Sequence, residues 1–313
     1  MGIKKRGPGA EEKRAGPQPP PDVAPEAADL PTRTPMYKAN RADRYLRQAK
    51  IKEIGEKTGA QILCYVSGRD AQIDRDDTIG FVDLLHNVRR GQNIDLFLHT
   101  RGGDLDAAEK LIELVQTAVG TARLRVIVPD MAKSAGTLMA LGADVIVMSD
   151  SSELGTIDPQ IALNDGRGNR IAHSVLNYLD AYAEHARALR ENPEDPVARI
   201  MLEQIDPATL SKFEAIRDRA RNLAEDLLRL KGKNFTQIAS DLMDRRRWPS
   251  HGQMIKWEDA NQIGLTVEYL PQTDPLWHEY WDLYCLLRLA VKDNEKIFES
   301  NYASLILPDP PPM

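Results

Sequence analysis

Short apolar runs alternate with segments of helical periodicity between residues 62 and 148, and this alternation constrains the fold more than any other feature of the sequence. The apolar runs that predict buried strands are residues 62–66, 93–98, 124–129 and 144–148. The segments that predict helices are residues 78–85, 105–119 and 135–141. Strands and helices that alternate at this spacing form βαβ units, so the sequence predicts an α/β fold with a mostly parallel sheet.

Composition divides the chain into three parts. Residues 1–36 are rich in proline and alanine and carry too little apolar surface to offset the entropy of ordering, which predicts a disordered tail. Residues 37–270 are predicted to form one domain that includes inserted helices over residues 172–245. Residues 271–313 are predicted to form a C-terminal helix and an extended proline-rich tail.

Charge and residue usage exclude several classes of function. The formal net charge of −6 provides no global basic field for phosphate, so we expect no nucleic-acid partner. Cys64 and Cys285 lack metal-ligand spacing, and no nicotinamide fingerprint or pyridoxal site is recognisable, so we expect no metal and no cofactor. No apolar run has the length of a bilayer span and the N-terminus lacks a signal-peptide core, which predicts a cytoplasmic protein.

Ser134 lies between the predicted strand at residues 124–129 and the predicted helix at residues 135–141. A serine at such a junction has its hydroxyl beside the unpaired amides and the positive end of the helix. Those amides can stabilise an oxyanion that forms on a substrate carbonyl, which makes Ser134 a candidate nucleophile. Serine is also a favoured N-cap residue, so a capping role is the alternative.

Gly102 and Gly103 occupy the preceding strand-to-helix junction. Glycines there allow backbone amides to approach a ligand closely, although a plain tight turn would use the same residues. Because ligands of open α/β sheets bind at the carboxyl ends of the strands, both junctions can face one carbonyl group. The amides of Gly103 and Ala135, with Gly102 beside them, would then form an oxyanion hole for attack by Ser134.

Four motifs in order resemble one known family. They are Thr-Arg-Gly-Gly-Asp at residues 100–104, Ala-Lys-Ser-Ala-Gly-Thr at residues 132–137, the block at residues 143–160, and the closing segment at residues 248–265. This order is similar to the ClpP/crotonase superfamily and, within it, to the SppA-like serine dehydrogenase proteinase family. The resemblance covers residues 62–267, and it implies a ClpP/crotonase-like sheet built of ββα-type superhelical units with additional C-terminal helices.

The resemblance implies a serine peptidase that forms an acyl-enzyme on Ser134, acts on peptides or unfolded protein, and assembles as a homo-oligomer. It also implies a general base, which relatives supply as a histidine about twenty-five residues after the serine or as a lysine in a later helix. This chain has neither residue at those places.

Two histidines are candidates for the missing base, because the unperturbed pKa of histidine suits proton transfer near neutrality. His173 lies near the start of the helix in which relatives carry lysine, and His251 lies in the closing segment. Lys133 is adjacent to the serine, but we expect it to be solvated. Asp158 is a candidate to orient a base or to cap a turn.

The sequence therefore predicts a serine endopeptidase of the ClpP/SppA type. One alternative is a catalytically silent scaffold or binding protein that has kept the fold and lost its base. Another is a crotonase-type acyl-thioester enzyme that uses the paired amides without a serine nucleophile.

Overall fold

A computed structural model describes residues 33–164, 170–229, 232 and 234–309 of the chain. Residues 1–32 of the predicted disordered tail lie outside the described residues. A short helix, α1 (Pro35–Ala39), begins within the last part of that predicted tail and is capped by the Thr34 hydroxyl, which accepts from the Tyr37 amide at 3.2 Å. Residues 42–313 form a second compact unit, which contains the other described elements.

The eleven strands of the described residues are short. They are β1 (Gln61–Ser67), β2 (Ile94–His99), β3 (Leu124–Ile127), β4 (Met131–Ala132), β5 (Val145–Met148), β6 (Glu153–Leu154), β7 (Gln160–Asn164), β8 (Arg170–Ser174), β9 (Val267–Tyr269), β10 (Glu295–Glu299) and β11 (Ser304–Pro308).

Ten helices are described in this second unit. They are α2 (Ala42–Thr58), α3 (Asp77–Leu85), α4 (Leu105–Val119), α5 (Ala135–Leu141), α6 (Val175–Glu191), α7 (Pro196–Glu203), α8 (Pro207–Arg229), α9 (Phe235–Leu242), α10 (Trp257–Gln262) and α11 (Pro275–Ala290). None of these described helices combines the length and the apolar composition that crossing a bilayer requires.

A seven-stranded sheet forms the centre of the unit, in the order β11-β10-β1-β2-β3-β5-β9. Five strands of this sheet pair in parallel: β1, β2, β3, β5 and β9. The strands β10 and β11 complete one edge with antiparallel pairing. All four predicted strands are present, so the prediction of a mostly parallel α/β fold is confirmed. The order also places the ends of β2 and β3 side by side, as the two candidate junctions require.

Both faces of the sheet are covered, which explains why the predicted strands are continuous apolar runs rather than alternating ones. In β1, the side chains of Leu63 and Tyr65 belong to a large core beneath helices α3, α4, α5, α8 and α9. Ile62, Cys64 and Val66 face the opposite way, into a smaller core beneath α2 and α11. The site therefore rests on a sheet that is fixed from both sides.

Two segments differ from the prediction. A helix is predicted at residues 172–190, but its first residues form β8, and α6 begins only after Ser174, whose hydroxyl accepts from the Asn177 amide at 3.0 Å. A helix is also predicted at residues 277–298, but α11 ends at Ala290 and residues 295–299 form β10. The division of the chain at residue 270 stays a prediction, and the C-terminal part supplies two strands of the central sheet.

Candidate active site

Ser134 has a backbone conformation that few residues other than glycine adopt. Its φ is 52° and its ψ is −115°, and the residue lies between β4 and α5. Such a conformation costs about 1–3 kcal/mol and persists only where the surroundings enforce it. The hydroxyl of this half-buried serine makes no capping hydrogen bond to α5. The capping alternative is therefore not supported, and the hydroxyl is directed elsewhere.

The two junctions are joined by backbone hydrogen bonds. The Thr100 amide donates to Met131 O at 3.0 Å, and the Lys133 amide donates to Thr100 O at 3.0 Å. Gly102 then lies directly against the serine, with a φ of 104°. A Cβ atom at Gly102 would stand 2.9 Å from Ser134 Cβ and 2.8 Å from Lys133 O, so only glycine fits this contact. The glycine turn and the serine thus form one structural unit.

Gly103 is held from its other side by a short extended segment around Ile73. The Ile73 amide donates to Gly102 O at 2.8 Å, and the Asp104 amide donates to Ile73 O at 2.8 Å. A Cβ atom at Gly103 would lie 2.3 Å from Ile73 O, so this residue must also be glycine. Both sides of the turn are consequently fixed by main-chain contacts.

The amides of this turn differ in their availability to a ligand. The Gly102 amide already donates to Thr100 Oγ1 at 3.1 Å, so the prediction that Gly102 contributes to the oxyanion hole does not fit this geometry. The amides of Gly103 and Ala135 have no hydrogen-bond acceptor among the described residues. Gly103 and Ala135 line the same cavity as Ser134, so their amides are the candidates for an oxyanion hole there.

A cavity of about 600 Å³ opens in front of the serine. It is lined by the glycine turn and the start of α5, and by Lys212, Ile216 and Arg219 of α8. Gln160 and His251 also line it. The volume is in the range of sites that bury a small ligand or several residues of a peptide.

His251 is the candidate base that the fold brings to this cavity. Its Nδ1 lies 3.5 Å from Asp158 Oδ2 and 3.3 Å from Gln160 Nε2. Asp158 is buried, and its second oxygen accepts from the Ser174 hydroxyl at 2.7 Å. The tautomer that carries its proton on Nδ1 would donate to Asp158 and would leave Nε2 able to accept a proton.

Comparison with known proteins identifies a similar family. Residues 47–183, less than half of the chain, match the family described as ClpP-like SDH-type serine proteinase. The match contains Ser134, both glycines and Asp158, and it ends before His251. The predicted resemblance and the ClpP-like fold class are confirmed.

Three individual proteins are also similar to this chain. Two are uncharacterized proteins of Methanocaldococcus jannaschii, with 32% identity over 59% of this chain and 29% identity over 36% of it. The chain spans about half the length of these curated relatives, 58% and 41% respectively. The third is a solved structure of a serine-to-alanine variant of the 1510-N membrane-bound stomatin-specific protease. It is 18% identical, with a TM-score of 0.42, over 73% of this chain and 84% of that one.

The second predicted base, His173, lies in a different place from the one that the sequence predicts. It lies exposed on β8, opposite Ile161 in the β7–β8 hairpin, rather than in the helix where the sequence places it. It is not among the described residues that line the cavity. The fold therefore brings Ser134 together with one of the two candidate histidines.

Lys133 is not the solvated side chain that the sequence predicts. It is mostly buried, and its Nζ lies 3.0 Å from Glu153 Oε1 and donates to the carbonyl oxygens of Leu154 and Gln253. Burial lowers the pKa of Lys133, and the ion pair with Glu153 partly opposes that effect. Its side chain thus joins the serine segment to the loop that carries His251.

Several residues of the site have no signal in the sequence. Gln160 is an ordinary polar residue until the fold places it between Asp158 and His251. The cavity wall from α8 comes from a helix that is predicted only as a charged, amphipathic segment. No cluster of metal-ligating side chains occurs among the residues that the structure describes.

Proposed function

We propose that the protein is a serine peptidase in which Ser134 attacks a peptide carbonyl and His251, oriented by Asp158, accepts the serine proton. The Gly103 and Ala135 amides bind the oxyanion of the tetrahedral intermediate. His251 then returns the proton to the leaving amine, and a water molecule hydrolyses the acyl-enzyme by the reverse sequence. Peptide or unfolded protein is the proposed substrate class, and a homo-oligomer is the proposed assembly.

One observation carries this proposal. Ser134 has a strained backbone and a hydroxyl that makes no capping hydrogen bond. It shares one cavity with Gly103 and Ala135, whose amides are unpaired among the described residues, and with a histidine that lies beside a buried carboxylate. The separate elements occur in many proteins, but their convergence on one cavity matches the needs of acyl transfer. The match of residues 47–183 to a serine proteinase family supports the same chemistry.

Covalent labelling tests the nucleophile. We expect an aryl phosphonate to label the protein once per chain, as measured by mass spectrometry, and a peptide map to place the label on Ser134. The Ser134→Ala variant is expected to remain unlabelled. A parent protein that stays folded and resists the phosphonate would favour the silent-scaffold alternative, while thioester binding without labelling would favour the crotonase-type alternative.

The two histidines provide a matched pair for testing the base. His251→Gln is expected to slow phosphonate labelling and peptide hydrolysis by about 10²–10⁴-fold, the contribution typical of a general base. His173→Gln is expected to leave both rates within about twofold, because the side chain is exposed on β8. Loss of rate in His173→Gln alone would assign the base to His173.

A further inference from the structure

The side chain of Lys296 is buried, with only 1% of it exposed. It lies on β10, at the edge of the sheet next to β1. Its Nζ forms ion pairs with three carboxylates, those of Asp74 at 2.6 Å, Asp77 at 2.7 Å and Asp309 at 2.9 Å. It also donates to the backbone oxygen of Gln72 at 2.8 Å.

These contacts hold both neighbours of Ile73. Lys296 binds the carbonyl of Gln72 on one side and the carboxylate of Asp74 on the other. The backbone of Ile73 between them makes the two hydrogen bonds that fix the glycine turn, and Gly103 packs against it without room for a Cβ atom. A continuous set of contacts therefore runs from the lysine ammonium to the amide that faces the cavity.

We propose that Lys296 is a positioning residue for the oxyanion hole, which it serves by holding the segment at residues 72–74 against the Gly102–Gly103 turn. The inference rests on the proposed function, because it assigns the Gly103 amide to the oxyanion. Lys296 acts through Ile73 and is not among the residues that line the cavity.

The electrostatics of the cluster explain why a cation is needed there. Burial opposes the charge on Lys296, but the carboxylates outweigh it and raise the pKa of the lysine. Without the ammonium group, Asp74, Asp77 and Asp309 would lie close together with no cation between them, and Asp77 is almost wholly buried. Removal of one partner from a buried ion pair leaves an uncompensated charge, so the segment at residues 72–74 is expected to move outwards.

A small movement of this segment is sufficient to affect catalysis. Oxyanion donors act only when they stand about 2.7–3.1 Å from the position that the oxyanion takes. A displacement of about 1 Å can reduce the rate on the order of 10²-fold. Because substrate contacts elsewhere in the cavity are retained, the effect is expected in kcat rather than in KM.

The experiment compares two buried cations that form ion pairs at β10: Lys296, which lies on the strand, and Arg47 of α2, which pairs with Glu299 of the strand. Lys296→Met removes the proposed positioning contact, and Arg47→Met removes the partner of Glu299 on β10, which Arg47 Nη2 reaches at 3.2 Å. We expect Lys296→Met to lower kcat about 10–100-fold, with KM within about twofold. Arg47→Met is expected to destabilise the fold and to leave kcat of the folded protein within about twofold. Equal losses of kcat in both variants would overturn the proposal.

Hydrogen exchange provides a readout that does not depend on peptidase activity. In Lys296→Met the Asp104 amide, which donates to Ile73 O, is expected to exchange at least about tenfold faster, and in Arg47→Met at the parent rate. Lys296→Arg is expected to restore part of the protection. Unchanged exchange at Asp104 in Lys296→Met would refute the inference even if the parent proved to have no peptidase activity.

A milder variant covers the case in which Lys296→Met does not fold. Asp309 has the longest of the three carboxylate distances to Lys296 Nζ, 2.9 Å, and its Oδ2 also accepts from the Gln72 amide at 3.2 Å. Asp309→Asn is expected to raise exchange at Asp104 and lower kcat by a few-fold, while Asp293→Asn, which breaks an exposed pair with Arg69, is expected to change neither. Identical behaviour of these two variants would also overturn the proposal.

Discussion

The glycine turn allows one prediction to be worked through in detail. In Gly103→Ala, the new methyl group would lie 2.3 Å from Ile73 O and 2.5 Å from Ile73 N, and the backbone has a φ of 148°. The unfavourable conformation costs about 1–3 kcal/mol. Relief of the overlap requires Ile73 to move away, which breaks two backbone hydrogen bonds worth about 1 kcal/mol each. The expected loss in the free energy of unfolding is therefore about 3–5 kcal/mol.

Gly120→Ala is the matched control. Gly120 caps the opposite end of α4 with a φ of 60°, and no atom lies within 4 Å of the position of its Cβ. Its substitution introduces backbone strain without overlap, so we expect a loss of about 1–2 kcal/mol. Urea unfolding of both variants measures the difference.

Rates of phosphonate labelling give the second part of this test. Gly103→Ala displaces a proposed oxyanion donor, and the loss of such a donor typically costs about 10²–10³-fold in rate. Gly120→Ala is expected to label at the parent rate. The reasoning would be refuted if Gly103→Ala were no less stable than Gly120→Ala, because the contact with Ile73 would then not limit that position.

Three further predictions concern other parts of the fold. Burial lowers the pKa of His99 from about 6.5 to about 4. Its contribution to stability is therefore fully present above pH 6.5 and declines as the pH falls towards 4. The free energy of unfolding in urea should fall by about 3 kcal/mol over that window, and by less in His99→Gln. Arg125→Met should lower the free energy of unfolding by about 3–5 kcal/mol, because it removes the partner of the buried Asp95 carboxylate, which lies 2.6 Å from Arg125 Nη2. Native alkylation with iodoacetamide should modify the exposed Cys285 and spare Cys64, whose pKa burial raises; equal labelling would contradict this.

The central strands and the serine junction could be predicted because their signals are local. Four apolar runs identify the parallel strands, and the order of strand, serine and helix places Ser134 at the edge of the sheet. The position of Gly102 and Gly103 beside Ser134 could be predicted because parallel strands end at the same edge of a sheet. These features depend on residues that are neighbours in the sequence, so their pattern is visible without a structure.

The remaining features depend on partners far apart in the chain. β10 contains Lys296 and Glu299, charged residues that are atypical of a buried strand, and their partners Asp74 and Arg47 lie 222 and 252 residues away. His251 reaches the cavity because Ile255 pairs with Leu154 across the intervening helices. No local pattern reveals such pairs, and for this reason the sequence predicted a helix over β10 and left two histidines as candidate bases.

The placement of Lys296 has a consequence for the order in which the protein is made. Asp74 leaves the ribosome 222 residues before the lysine that neutralises it. Until β10 is synthesised and pairs with β1, the nascent chain holds the serine and the glycine turn without the ammonium group that fixes residues 72–74. Contacts of such long range also form late in folding. The proposed oxyanion hole would therefore be complete only after the C-terminal strands are in place.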